Sequence, residues 1–549
     1  MEWCNFVVSF LESQGIKHAC ISPGARNSPL THALINNGKI NCLSNVDERS
    51  SAFFGLGIAR ASNEPVVISS TSGTAVANFF PAVIEASLSN IPILILSADR
   101  PSKLVGTGAN QTIYQKEIFG NYVRFFMDMG LPEKEYDKIE KKMKEAICQL
   151  KGLKNEYPPG PVHLNFPFDE PLVSENISKM KKYSFYLMTK KDEKENSVEM
   201  IEPSKKPLIV VGPNIHVNFQ NQVILLAEKI NAPIMADPLS QHKYGFKSRN
   251  IISHYDMSLK HWPYDPDFIL RIGFKPTSKI LCRYLDEWRN KTLLIGPWIQ
   301  HNDNSLNYHQ SSIDTFLQYQ LNNINWQGDD ICLNSIISLD EKIEEFILEE
   351  KNEHEGMIAR ACQESLQNND QFIIGNSMPI RDVDAYTNSN EIKIKTYANR
   401  GASGIDGVLS TALGISYCNK KNSLLLIGDL SFYHDMNGLL ASRHGVRLTI
   451  VVVNNGGGGI FSFLPIAKID EENFKEFWTT NTGLDLKNVA TLYGCQYVKV
   501  KNLPDLKENI QNSFTIDGIK IIEIQTEIDK NVRLHEKFME KVAKEISNH

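Results

Sequence analysis

One stretch, residues 422–464, limits the fold more than any other: NSLLLIGDLSFYHDMNGLLASRHGVRLTIVVVNNGGGGIFSFL. An apolar run at 424–427 ends at Gly428-Asp429, and a polar, helix-like segment follows over about 431–443. A second apolar run at 448–453 ends at Asn454-Asn455 and four glycines. Strand, turn, helix, strand, turn is the unit of a parallel sheet. Both turns then fall on one sheet edge, where open α/β sheets bind ligands. Asp429 and Asn455 are 26 positions apart, yet this topology brings them together.

An Asp carboxylate, an Asn carbonyl and a free carbonyl in a glycine turn are hard oxygen donors. They suit Mg²⁺ or Ca²⁺, and a magnesium site of this kind is usually completed by phosphate oxygens. The glycines permit close approach of a ligand, with N–H groups free to face phosphate. The alternative is a glycine-rich turn in which Asp429 only caps a helix.

The rest of the chain repeats the alternation. Strands are expected at 18–22, 42–46, 66–70, 91–98 and 162–166, with a long charged helix near 134–150. A segment rich in Lys, Glu and Ser, 181–206, reads as a linker. A second block has strands at 207–211, 232–236, 268–273 and 293–296. A charged helix at 341–353 opens a third, with strands at 372–375, 392–397, 424–427, 448–453 and 519–524. The expected architecture is α/β, with three doubly wound parallel-sheet domains: 1–180, 207–340 and 341–549. A chain of 549 residues is too long for a single core, which agrees.

Composition excludes several classes. The net charge of −6 gives no sign of a nucleic-acid partner, so an anionic substrate must be held by local Arg and Lys groups. Nine cysteines are scattered without a CxxC pair, as in a reduced, cytoplasmic protein. No apolar run approaches the roughly 20 residues that span a bilayer. The N-terminal MEWCNFVVSFLESQG reads as an amphipathic helix without the basic start of a signal peptide.

Charged residues recur just after expected strands. ISPGARNSPL (21–30) puts a Gly-containing turn and Arg26 at a helix start, either an anion site or a helix entry with a surface arginine. NVDERSSAFFGLG (45–57) puts Glu48 before a small-residue helix, where it is either functional or a helix-start acid favoured by the macrodipole. SADRP (97–101) and GTGANQTI (106–113) follow another strand. GNSMPIRD (375–382) and ANRGASGIDG (398–407) set Arg381 and Arg400 beside the glycine turn, as ligand groups or as ion-pair partners.

The Gly-Asp followed by Asn-Asn resembles the signature of thiamine-diphosphate enzymes, with Leu430 in place of the usual third-position Gly. GDLSFYHDMNG, NNGGGGIFSFLP and NRGASGID are similar to one branch, the 2-succinyl-5-enolpyruvyl-6-hydroxy-3-cyclohexene-1-carboxylate synthases of menaquinone and phylloquinone biosynthesis. The similarity runs through nearly the whole chain in order. It implies thiamine diphosphate with Mg²⁺ or Mn²⁺ held by Asp429, Asn455 and the Gly457 carbonyl. Gly428, Leu430, Ser431 and Ile460 are then further cofactor contacts, Ile405 the wedge that keeps the cofactor bent, and Glu48 the partner of its aminopyrimidine ring. Ser377, Arg381 and Arg400 bind carboxylates and join Glu48 as the catalytic set. Arg26, Arg100, Asn110 and Gln111 are implied substrate contacts, with Ala25 replacing a Ser of the family's SPGSR segment. Phe461 and Leu464 join Ile460 in an apolar wall. Lys279 aligns with a basic patch, although a solvated lysine is the plainer reading.

The implied reaction decarboxylates 2-oxoglutarate and adds the four-carbon fragment to isochorismate, without a redox step. Each substrate carries two carboxylates, which explains several arginines in an acidic chain. The resemblance further implies a homo-oligomer, a dimer or a dimer of dimers, with active sites at the subunit interface. Two alternatives stand. One is another 2-keto-acid decarboxylase or acetolactate-synthase-like carboligase. The other is a non-catalytic nucleotide-binding module using Gly456–Gly459, against which the chain has neither GxGxxG there nor GxxxxGK[ST].

Overall fold

The computed structural model describes residues 2–132, 135–154, 156–172, 183–190, 198–213, 219–260, 264–299, 303–468 and 470–547. Among these, the strands form three six-stranded sheets, with every pairing parallel. Counting strands along the chain within each sheet, the first and third share the order 2-1-3-4-6-5, whereas the middle sheet runs 3-2-1-4-5-6. The α/β class with three doubly wound sheets is therefore as expected.

Inner strands such as Leu448–Asn454 and Ile93–Asp99 are buried along nearly their whole length, because helices cover both faces of a parallel sheet. Those strands are legible as apolar runs. Four others were not anticipated: Phe125–Asp128, Ile251–Ile252, Asn307–Gln310 and Gln496–Val500. All four are edge strands. An edge strand needs no continuous apolar run, and Asn307–Gln310 has only Tyr308 to offer.

Three other expectations are corrected. The N-terminal helix, Glu2–Ser13, is buried on all sides from Trp3 to Leu11, so it has no free polar face. The outer side is covered by the segment read as a linker: Tyr183 and Phe185 set their rings 4.9 and 5.2 Å from Phe6. Residues 181–182 and 191–197 of that segment lie outside the described residues. The charged helix expected at 341–353 is Asp330–Glu349. Its Leu333 and Ile336 enter the middle core, while Ile343 and Phe346 pack with Tyr386 and Phe538, so one helix serves two domains. The helix expected over 431–443 is a short α-helix, Asp429–His434, followed by the 3₁₀ stretch Met436–His444.

The first and third sheets share one hydrophobic core. Helix Glu48–Ser62 crosses helix Val408–Cys418 in backbone contact. A Cβ on Gly57 would lie 2.1 Å from the Thr411 carbonyl, and one on Gly414 would lie 2.1 Å from the Phe54 carbonyl. Only glycine allows that approach. The middle domain grips the third through Lys243, a sealed lysine that donates to the carbonyls of Ser253 (3.1 Å) and Asp384 (2.6 Å). The Tyr255 hydroxyl donates to Asp384 as well (2.7 Å). These contacts fix the C-terminal end of helix Met378–Tyr386, whose first turns reach the site described next. No described helix is long and apolar enough to cross a membrane.

Candidate active site

In the third sheet, strand Gln371–Ile374 lies between Lys395–Tyr397 and Ser423–Gly428, so the order reverses at this point. Ile374 is in register with Leu426, and Gly428 with Val453. Ser377, Asp429 and Asn455 therefore leave the same carboxyl edge at the crevice where such sheets bind ligands.

A cavity of about 570 Å³ opens there. It is lined by Asp429, Asn454, Asn455 and Gly456, by Asn481 to Leu484, and by His354, Thr526 and Asn531. Asp429 is 8% exposed. Burial pushes its carboxyl up to about 6, against the opposing pull of backbone N–H groups from Leu430, Gly456 and Gly457. Gly456 and Gly457 have φ of 81° and 141°, and a Cβ on Gly457 would meet the Thr479 carbonyl at 1.9 Å. That turn accepts only glycine. Asn455 donates its amide Nδ2 to Glu355 Oε1 (2.9 Å), and its Oδ1 accepts from the Gly457 N–H (3.2 Å). The Cβ direction of Gly428 meets nothing within 4 Å, so the strand end faces open space.

The donor chemistry fits a diphosphate-bound magnesium ion. It offers one carboxylate, one amide oxygen and carbonyls of a tight turn, with ligand oxygens left to complete the shell. Among the described residues no three His, Cys, Asp or Glu side chains cluster as a metal set. Two details differ from a simple phosphate cradle. The Leu430 N–H is given to Asp429 Oδ1 (2.9 Å), and Ser431 Oγ donates to the Ile405 carbonyl (2.8 Å).

The neighbouring strand ends of the same sheet edge carry a group of polar and cationic residues, none of which lines this cavity. Ser377 has φ of 72°, a left-handed conformation unusual outside glycine, at the start of helix Met378–Tyr386. Its carbonyl accepts from Arg381 Nη1. Arg400 Nη1 donates to Asn376 Oδ1 (3.2 Å). Burial lowers the Arg381 guanidinium and the Arg400 charge lowers it further, while Asp382 and Asp256 oppose the shift. Neither has a carboxylate ion-pair partner among the described residues. Two such cations at one sheet edge are candidates for holding an anion. Ile405 and Leu464, 39% and 41% exposed, and the half-buried Ile460 and Phe461 present apolar surface at this end of the chain.

The first-domain candidates stand apart from this cavity. Glu48 is half-buried at the first position of its helix, next to the capping Asp47, whose side chain accepts from the Ser50 N–H (3.0 Å). Arg26 is 5% exposed and donates to the Phe168 carbonyl (3.0 Å) and to Glu170 (3.3 Å). Its guanidinium thus has a carboxylate partner, whereas among the described residues those of Arg381 and Arg400 are held only by the Ser377 carbonyl and the Asn376 amide oxygen. Arg100 leaves its Nε buried without a partner. Asn110 and Gln111 are exposed, and the Gln111 carbonyl accepts from Ser72 Oγ (2.9 Å). Lys279 is exposed at the first position of helix Lys279–Glu287 and lines neither large cavity; Lys275 borders the cavity of about 330 Å³ that Arg400 also borders.

Sequence reasoning missed two residues. Glu355 reads as an ordinary helix-start acid, yet its carboxyl is held by Asn455 and by Thr526 Oγ1 (2.8 Å). Asn376 donates to the carbonyls of Asn399 (2.8 Å) and Gly404 (2.7 Å), and so ties one ligand loop to the next. Its place directly before Ser377 was the available signal.

Comparison with known proteins agrees with this geometry. Residues 1–118 match the thiamine pyrophosphate enzyme N-terminal TPP binding domain, and 385–524 match the C-terminal TPP binding domain. The chain is 38% identical to the 2-succinyl-5-enolpyruvyl-6-hydroxy-3-cyclohexene-1-carboxylate synthase of Listeria innocua, over 98% of this chain and 97% of the relative. It is 37% identical to that of Oceanobacillus iheyensis (97% and 96%) and 35% identical to that of Bacillus velezensis (99% and 98%). With identity of this level over almost the full length, the chain belongs to the 2-succinyl-5-enolpyruvyl-6-hydroxy-3-cyclohexene-1-carboxylate synthase family of thiamine pyrophosphate enzymes.

Proposed function

We infer that this enzyme forms 2-succinyl-5-enolpyruvyl-6-hydroxy-3-cyclohexene-1-carboxylate from 2-oxoglutarate and isochorismate. The observation that carries the reading is one sheet edge that holds the Asp429–Asn455 oxygen-donor turn and, after the neighbouring strands, Arg381 and Arg400, neither in a carboxylate ion pair among the described residues. Asp429, Asn455 and the Gly457 carbonyl would hold Mg²⁺ or Mn²⁺. Gly428, Leu430, Ser431 and Ile460 would line the rest of the cofactor. Bound thiamine pyrophosphate supplies the electron sink that a 2-oxo acid needs in order to lose carbon dioxide.

The chain's own groups do the rest. Arg381 and Arg400 take substrate carboxylates through forked hydrogen bonds, with Ser377 beside them. Ile405, Phe461 and Leu464 exclude water around the substrate carbon skeleton. Glu48 holds a proton at the aminopyrimidine nitrogen. Among the described residues none of the first domain lines the Asp429 cavity, in keeping with a homo-oligomer in which a second copy supplies Glu48, with Arg26, Arg100, Asn110 and Gln111 on the same side. Lys279 stays a solvated lysine in this reading. We place the enzyme in the cytoplasm, in keeping with nine free cysteines and no disulfide among the described residues.

Family membership sets aside the nucleotide-binding alternative. The remaining rival, an acetolactate-like carboligase, differs in its keto acid. Holoenzyme given isochorismate should consume the diene absorbance with 2-oxoglutarate and not with pyruvate. Carbon dioxide release from pyruvate, with the diene absorbance untouched, would assign the rival activity.

A further inference from the structure

The loop that delivers Arg400 is held from outside its own domain. Arg60, in helix Glu48–Ser62 of the first domain, donates Nη1 to the Ala398 carbonyl (2.6 Å) and Nη2 to Glu85 Oε1 (3.1 Å). Glu85, in helix Phe80–Leu88, accepts from the Gly401 N–H at Oε1 (2.9 Å) and from the Ala402 N–H at Oε2 (2.7 Å). It also accepts from Ser89 Oγ (2.7 Å). The two side chains are 10% and 3% exposed. One buried ion pair thus binds three backbone groups that bracket Arg400: the carbonyl two positions before it and the amides one and two positions after it. Gly401 is needed for the approach, since a Cβ there would meet the Glu85 carbonyl and Ser89 Oγ at 2.8 Å. On the far side, Asn376 accepts from the Arg400 guanidinium (3.2 Å) and donates to the Asn399 carbonyl (2.8 Å).

A buried ion pair is a weak stabiliser, because desolvation offsets most of the attraction. Apolar residues of similar volume would join the two domains as well. What apolar residues cannot do is fix two successive amides and a carbonyl at set positions. We propose that Arg60 and Glu85 are positioning residues for Arg400: they lock the backbone of its loop so that the guanidinium stands beside Ser377 and Arg381. Carboxylate recognition then depends on the first domain being docked on the third. This rests on the reading that Arg400 binds a substrate carboxylate.

The test is a double-mutant cycle on holoenzyme. Glu85→Gln keeps one acceptor oxygen and loses the other, and Arg60→Lys keeps the charge and loses the fork. Each should raise the KM of one of the two substrates about tenfold or more, with kcat and thiamine pyrophosphate affinity little changed. In an Arg400→Ala background the same substitutions should add no further KM effect. Additive KM effects in that background, or a fall in cofactor affinity equal to the KM change, would overturn the proposal. If Arg400→Ala itself leaves both KM values unaltered, the carboxylate reading of Arg400 fails. If Arg400→Ala raises KM while Arg60→Lys, folded as judged by cofactor binding, does not, only the positioning proposal fails. Arg60→Lys is carried for this purpose because it introduces no uncompensated buried carboxylate.

Discussion

Asn455 can turn its amide either way, and a metal needs the oxygen. Glu355 decides the matter: its carboxylate accepts from Asn455 Nδ2, which leaves Oδ1 for the Gly457 N–H and, in the proposed reading, for the cation. Burial pushes the Glu355 carboxyl up, with the Asp382 charge adding to the shift, while Asn455 and Thr526 oppose it. Such support commonly changes metal affinity by about 10–100-fold. We therefore expect Glu355→Ala to weaken Mn²⁺ binding in the presence of thiamine pyrophosphate by that factor, and Asp429→Ala to weaken it more. Electron paramagnetic resonance of free Mn²⁺ measures both, and unchanged binding in Asp429→Ala would remove the metal assignment. In sequence, Asp429 and Asn455 were legible because each ends a buried apolar strand. Glu355 was not, because its partner lies 100 positions away and nothing local distinguishes it from a capping acid.

At the scale of elements, the crossing of helices Glu48–Ser62 and Val408–Cys418 carries the join between the first and third domains. Gly57→Ala forces a methyl against a carbonyl 2.1 Å away. Overpacking of this kind costs about 1–3 kcal/mol. A lower melting temperature, with cofactor affinity retained by the folded fraction, is the expected outcome in calorimetry; an unchanged melting temperature would show that the helices part easily. The small-residue pattern of 52–59 made this packing legible. The 3₁₀ stretch Met436–His444 was not, since its cause is tertiary. The Asp435 carboxylate turns to the N–H (2.6 Å) and Oγ (2.9 Å) of Ser410 on the crossing helix. Burial pushes the Asp435 carboxyl up to about 7, despite those hydrogen bonds. The folded chain holds a proton there that an unfolded chain loses above about pH 4. The group's contribution is therefore complete below about pH 4 and is lost as pH rises through 7, at no more than about 1.4 kcal/mol per pH unit. Asp435→Asn should flatten this loss, so the variant gains on the parent between pH 5 and pH 8 in urea unfolding. An equal offset at both pH values would contradict the assignment.

For the molecule as a whole, the first and third domains repeat one strand order, and their ligand edges were readable because each candidate follows a strand. The interdomain grips were not readable. Glu85 meets Gly401 across 316 positions, and Lys243 meets Asp384 across 141. Two edge strands were lost because Asn307–Gln310 and Gln496–Val500 carry no continuous apolar run; Phe125–Asp128 and Ile251–Ile252 are apolar but only four and two residues long. The same whole-molecule view separates Glu48 from the cavity that Asp429 lines. If a second copy supplies Glu48, Glu48→Gln and Asp429→Ala chains are each nearly inactive alone, yet regain activity when mixed. Equal random mixing would give half mixed dimers, each with one intact site, or about a quarter of parental activity. No recovery after exchange of subunits would place each site within one chain.

The central claim is tested most directly by carbon dioxide release from 2-oxoglutarate. Purified enzyme with thiamine pyrophosphate and Mg²⁺ would be followed with and without isochorismate. Release that accelerates on adding isochorismate, matched mole for mole by loss of its diene absorbance, is the predicted result. Cofactor-loaded enzyme that leaves 2-oxoglutarate untouched in the presence of isochorismate would contradict the account.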